Sequence, residues 1–137
     1  MRTILIFALL LSGMHTQAQH IKDYRWKHRL LFFSVSDDVP VTDSAAASLY
    51  NSETDGIEER DLLVFYIKEQ QVYDSNGEKY ELEIPEKYYP LPGGTILVGK
   101  DGGVKLNLET IADPATIFTL IDGMPMRRAE MKRKKPD

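Results

Sequence analysis

The sequence predicts one small α/β domain, a β-α-β unit followed by a β-hairpin and a C-terminal helix. Two nearly uninterrupted apolar runs, residues 29–35 (RLLFFSV) and 62–67 (LLVFYI), read as strands covered on both faces. A segment with helical spacing lies between them, so the two strands run parallel through a right-handed crossover. Thr95–Val98 and Val104–Leu108 flank Lys100-Asp101-Gly102-Gly103, which supplies the positive φ values of a tight hairpin turn. The chain has 137 residues, 42% of them hydrophobic, enough for one domain with a real core.

The N-terminus reads as a signal peptide over residues 1–18. Arg2 is the positive start, residues 3–11 are the apolar run, and Thr16-Gln17-Ala18 is the small-residue cleavage site. The apolar run is shorter than the ~20 residues needed to cross a bilayer. The expected product begins at Gln19, is periplasmic or secreted, and has no transmembrane helix.

Residues 19–28 form a polar lead-in. Trp26, the sole tryptophan, is expected as a half-buried anchor over the core edge, the alternative being a stacking surface for a ligand. The folded domain is expected over residues 29–131. After the first strand, Pro40 stops further pairing because it has no N–H to donate. Thr42 or Asp43 then caps a helix over 44–51, with Ala45, Ala46, Leu49 and Tyr50 on one side. Residues 52–56, closing on Gly56, end it. The charged run Glu58-Glu59-Arg60-Asp61 reads as a solvated approach to the second strand.

Residues 68–92 are a long connection. Asn76-Gly77 marks a turn between extended arms, and Pro85 opens one helical turn. Tyr88, Tyr89, Pro90 and Pro92 are expected to fasten this connection to the sheet rather than to form a recognition surface. The last helix has clear punctuation, with Asp113 as cap, Pro114 in the first turn, Gly123 at the end, and Pro125 blocking continuation. Its Ile117, Leu120, Ile121 and Met124 share one face. Beyond it, Met124 and Met126 are expected to pin the chain to the core, and Arg127 or Arg128 to pair with Asp122 or a nearby acid. A free basic tail is expected over 132–137.

Composition excludes several chemistries. There is no cysteine, hence no disulfide, thiol nucleophile, thiolate metal site or lipid-attachment cysteine. His20 and His28 have no metal-ligand spacing, and no metal or other cofactor is expected. Gly-x-Ser-x-Gly and phosphate-loop motifs are absent, and Gly99–Gly103 precedes a strand rather than the helix a phosphate cradle uses. Residues 19–126 hold 10 Lys+Arg against 19 Asp+Glu, while 127–137 hold 6 against 2. With so acidic a body, nucleic acid is not an expected partner.

Three stretches carry a resemblance. They are Glu59-Arg60-Asp61, the run from Val98 to Lys105, and the run from Ile121 to Met131. The order of elements is similar to the core of the thioredoxin fold. The chain more specifically resembles a peroxiredoxin-like domain of unknown function. That domain (the DUDES group) occurs in short exported bacterial proteins and in extracellular sushi-repeat and coiled-coil proteins. The resemblance implies a thioredoxin-like fold and supplies no catalytic residues. By position, Asp38-Val39-Pro40-Val41 stands where the thioredoxin redox motif would sit, so that loop is degenerate.

Two functions follow as expectations. The first is a redox-inactive binding or accessory module of the cell envelope, whose partner is an envelope or extracellular protein or a small anionic ligand. The alternative is an enzyme of unrecognised type with a non-thiol, anion-binding cleft. The candidate binding residues are Arg60, Lys100, Asp101, Arg127 and Arg128.

Overall fold

A computed structural model describes residues 19–134. The signal-peptide reading falls on residues outside that range, as do the last three residues of the predicted tail. The main sheet has five strands in the order β4-β3-β2-β6-β7. Here β2 is Arg29–Ser34, β3 Leu62–Lys68, β4 Gln71–Tyr73, β6 Thr95–Val98 and β7 Val104–Leu108. The predicted parallel pair is present, with Arg29 opposite Leu62 and Ser34 opposite Ile67. β6 runs antiparallel to β2, and β7 antiparallel to β6, so the sheet is mixed.

Both central strands are buried on both faces, as their unbroken apolar runs require. Alternation along β2 sends Leu31 and Phe33 to one layer and Leu30 and Phe32 to the other. The first layer is covered by helices α1, Ala45–Tyr50, and α3, Pro114–Asp122. Thr95 ties that layer to the loop before α3. Its hydroxyl donates to the Thr110 carbonyl at 2.8 Å and accepts from the Ala112 N–H at 3.0 Å. Among the described residues no long helix covers the second layer. It is covered by the segment around Ile21 and by the connection carrying Leu82 and Tyr88.

Several expectations change here. The helix cap is Ser44, not Thr42 or Asp43, because Val41–Asp43 forms a 3-10 turn that delivers Ser44 to the Ala47 N–H. Residues 52–56 do not simply end the helix. Thr54–Glu59 is a second helix, α2, with Gly56 inside it. A Cβ at Gly56 would lie 2.8 Å from the Phe118 ring, so glycine is used for close approach rather than for a stop.

Residues 19–28 are not a loose lead-in. Gln19–His20, β1, pairs in parallel with β5, Leu82–Glu83, and Ile21–Tyr24 makes a 3-10 turn that buries Ile21. Ile21 and Tyr24 both lie against the second layer, and the polar residues between them face solvent. Trp26 is not a half-buried anchor. It is 62% exposed, with φ at 69°, and its N–H is bonded to the Lys100 carbonyl at 2.7 Å.

The Asn76-Gly77 turn is present between β4 and the Tyr73–Lys79 bridge. Tyr88 is buried, as a fastening role predicts. α3 begins and ends as read, with the Asp113 side chain accepting from the Thr116 N–H. α3 stops before Pro125, as expected, but Pro125 does more than end it. It opens a new helix, α4, Pro125–Lys134, because a proline lacks only an N–H that a first-turn position never uses. Helix therefore occupies the first three residues of the predicted free tail. Met126 is 38% exposed and pins nothing, whereas Met124 lies against the core. No helix among the described residues is long and apolar enough to cross a membrane.

Candidate functional site

Strand alternation places Arg29, at the first position of β2, on the same side as Leu31 and Phe33, where α3 and α4 lie. A charged side chain so placed must find partners, and Arg29 is 1% exposed. The partner is Glu130 of α4, held by both guanidinium ends at 3.2 Å, and Arg29 also donates to the Arg60 carbonyl at 2.8 Å. Arg127 and Glu130 stand three residues apart on α4 and face the same way.

The junction between α2 and β3 brings Arg60 and Asp61 into the same region. Asp61 adopts a left-handed conformation with φ at 48°. Its carbonyl accepts from the Arg29 N–H at 2.9 Å, and its carboxylate accepts from the Lys100 ammonium at 2.8 Å. The hairpin turn delivers Lys100, which also donates to Glu130 at 2.6 Å. The C-terminal end of α3 delivers Asp122. Arg60 grips Asp122 with two bonds, at 3.0 and 2.9 Å, and Arg127 adds a third at 3.1 Å. Arg127 also bonds Glu59, through its carbonyl at 3.1 Å and its carboxylate at 2.9 Å. Arg60 lies over the Phe118 ring at 4.2 Å.

The result is one network in which the cations Arg29, Arg60, Lys100 and Arg127 are matched one for one by Glu59, Asp61, Asp122 and Glu130. Burial by itself raises the carboxyls of Asp61, Asp122 and Glu130. The hydrogen bonds and charges of Lys100 for Asp61, of Arg60 and Arg127 for Asp122, and of Lys100 and Arg29 for Glu130 outweigh it and hold all three below their usual range. Burial lowers Arg127, and Asp122 and Glu59 outweigh it, so this guanidinium is held above its usual value.

Of the predicted candidates, Arg60, Lys100 and Arg127 converge in this network. Asp101 and Arg128 do not. Asp101 belongs to the hairpin turn, where Lys105 at 2.9 Å and the Gly103 N–H at 2.9 Å lower its carboxyl, and Arg128 is exposed. Asp38, Val39, Pro40 and Val41 lie past the other end of β2. There Val41 is buried, Asp38 is exposed, and the Val39 carbonyl accepts from Lys68 at 2.9 Å. Arg29, Glu59, Asp61 and Glu130 were not among the predicted site residues. Arg29 opened a strand, Glu59 and Asp61 read as surface charge, and Glu130 stood only within a resembling stretch. Their signal was that the three resembling stretches contain every member of the network except Arg29.

Beside the network runs a groove of about 740 Å³, lined by Arg29, Lys100, Lys105, Leu120, Met124 and Met126 among others. Among the described residues no group of three or more His, Asp or Glu is arranged to hold a metal ion.

These features define a small α/β domain braced by a self-neutralising ion network at the amino ends of its parallel strands. The chain belongs to the family described as a domain of unknown function (DUF4174), whose model matches residues 20–130. That span contains the whole network. No curated protein matches the chain.

Proposed function

We propose that this chain is an exported thioredoxin-like domain that acts as a redox-inactive binding or accessory module of the cell envelope. The sheet order β3-β2-β6-β7, with a helical crossover between β2 and β3 and a helix after β7, fits the thioredoxin-like reading. The N-terminal Arg2, apolar run and Ala18 support export.

One observation carries the choice between module and enzyme. Arg60, Lys100 and Arg127 gather as an anion-binding cleft requires, yet each is already bonded to a carboxylate of its own chain. A substrate anion entering there would have to displace Asp122 or Glu130, whose carboxyls are held ionised. The network therefore fits a brace better than a catalytic cleft.

The test pairs unfolding with anion titration in the parent and in Arg127→Lys. The module reading expects the variant to lose roughly 1–3 kcal/mol, as when a forked, buried set of charge-assisted bonds is broken. It expects no anion binding that depends on Arg127. Saturable anion binding that the variant abolishes, with unfolding unchanged, would favour the enzyme. Export is checked by intact mass of envelope material, which should give a chain starting at Gln19.

A further inference from the structure

The other layer of the sheet holds a second gathering of positive charge with no such matching. A pocket of about 100 Å³ is lined by Lys22, Arg25, His28 and Lys87, with Ile21 and Tyr88 among its apolar walls. Among the described residues no carboxylate lines it. Three separate segments build it: the turn Ile21–Tyr24 with the residues after it, the turn Glu86–Tyr88, and the hairpin turn at Gly99 and Gly102.

None of Lys22, Arg25 and Lys87 has an ion pair among the described residues. Arg25 lies against Gly102, with its guanidinium 3.0 Å from where a Cβ would be, and Gly102 has φ at +84°. Only glycine both adopts that turn and leaves room for the guanidinium. The carbonyl of the same glycine accepts from the Tyr88 hydroxyl, which fixes the turn to the opposite wall. Lys87 sits over the Tyr88 ring at 4.9 Å. The Nδ1 atom of His28 is buried with no hydrogen-bond partner among the described residues. Two neighbouring acids are engaged elsewhere. Asp23 accepts from the His20 N–H, and Asp101 holds Lys105.

We propose that this pocket binds a phosphate group, with Arg25, Lys22 and Lys87 supplying its charge and His28 in its wall. The pocket is small, about 100 Å³, which suits one compact charged group better than an extended ligand. Lys22 and Arg25 arrive from one segment and Lys87 from another, which suits an anion that presents oxygens in several directions, and a guanidinium is the usual partner of such a group. The chain carries a formal charge of −4, so an unmatched basic pocket is a local exception that has to be built. This proposal involves different residues from the ion network and stands independently of the envelope-module reading.

The experiment is calorimetric titration of the purified chain with inorganic phosphate, glycerol phosphate and acetate at constant ionic strength. Trp26, next to Arg25 in sequence and the only tryptophan, gives a parallel fluorescence signal. Saturable phosphate binding is expected. It should weaken tenfold or more in Arg25→Ala, recover in part in Arg25→Lys, and stay unchanged in Lys27→Ala, a neighbouring lysine that does not line the pocket. Tighter binding of glycerol phosphate than of inorganic phosphate would assign the ligand as a phosphorylated small molecule, and equal or weaker binding would assign it as the free anion. The proposal is overturned if phosphate does not saturate, if acetate binds as well, or if Lys27→Ala weakens binding as much as Arg25→Ala does. Circular dichroism on each variant confirms that the fold is intact, and Arg127→Lys should leave phosphate affinity unchanged.

Discussion

His28 and Arg29 are adjacent in sequence and lie in opposite layers of the sheet, and the cations around each are treated differently. On the helical side, Arg29, Arg60, Lys100 and Arg127 each meet a carboxylate within 3.2 Å. On the other side, Lys22, Arg25 and Lys87 form no ion pair among the described residues. The comparison teaches that convergence of positive charge is not a sign of anion binding. What matters is whether the chain has already supplied the anion. A matched buried set holds elements together, and its members are costly to remove singly. An unmatched, exposed set contributes little to folding and remains available.

The sharpest way to break this comparison is Glu130→Ala. It strands Arg29, 1% exposed, and Lys100, 7% exposed, without their shared carboxylate. The expected loss is about 3–5 kcal/mol in urea denaturation. Adding Arg29→Met should recover part of it, because an apolar side chain tolerates the site better than an unpaired charge does. A loss below about 1 kcal/mol would mean that the network is not a brace.

Acid should loosen the same side next. The folded-state pKa values of Asp61, Asp122 and Glu130 are lowered from ordinary values of 3.8, 3.8 and 4.5. Groups lowered on folding stabilise fully above their unfolded values and lose that contribution as pH falls through the folded ones. Arg127 is raised, so its contribution is constant throughout the acid range. The urea midpoint should therefore hold from pH 7 to about 5 and fall steadily below about 4.5. The fall should be shallower in Glu130→Gln, which has one lowered carboxyl fewer.

Smaller effects separate the two methionines. Met124 is partly buried against the core, so Met124→Ala should cost about 1–2 kcal/mol, less than the 2–5 of a fully buried methionine. Met126 is 38% exposed, and Met126→Ala should stay within about 0.5 kcal/mol. Equal losses in chemical denaturation would restore the idea of a two-methionine clamp.

Sequence pattern made the sheet legible because its signals are local. Unbroken apolar runs, a glycine-rich turn and the Asp113-Pro114 start each act within a few residues. Gly56 and Pro125 misled because both have two uses. Glycine ends a helix or admits a ring, as Phe118 shows, and proline stops a helix or starts one. The network was half legible. Arg60, Lys100 and Arg127 stood out as cations, and Asp122 was foreseen as a partner for one arginine. Their matching depends on contacts such as Arg29 to Glu130, whose members lie 101 residues apart, beyond the reach of periodicity. The pocket around His28 was not legible, because Lys22, Arg25 and Lys87 read as scattered polar residues until β1 paired with β5.

The smallest stability effect carries the most information about function. Arg25→Ala combined with Lys87→Ala removes two charges that have no ion-pair partner among the described residues. In buffer without phosphate the double variant should unfold within about 0.5 kcal/mol of the parent. It should even gain slightly, since like charges are taken apart. A ligand that binds only the native state stabilises it in proportion to the logarithm of its concentration over Kd. Adding phosphate should then raise the melting temperature of the parent and leave that of the double variant behind. Phosphate strengthens burial in any protein, and the double variant itself is the reference for that general salt effect. On the helical side the order is reversed. There, single changes should cost stability and leave the phosphate response intact once the loss of folding is allowed for. A double variant that is destabilised by more than about 1 kcal/mol without phosphate would place Arg25 and Lys87 among the bracing residues, and the contrast between the two layers would disappear.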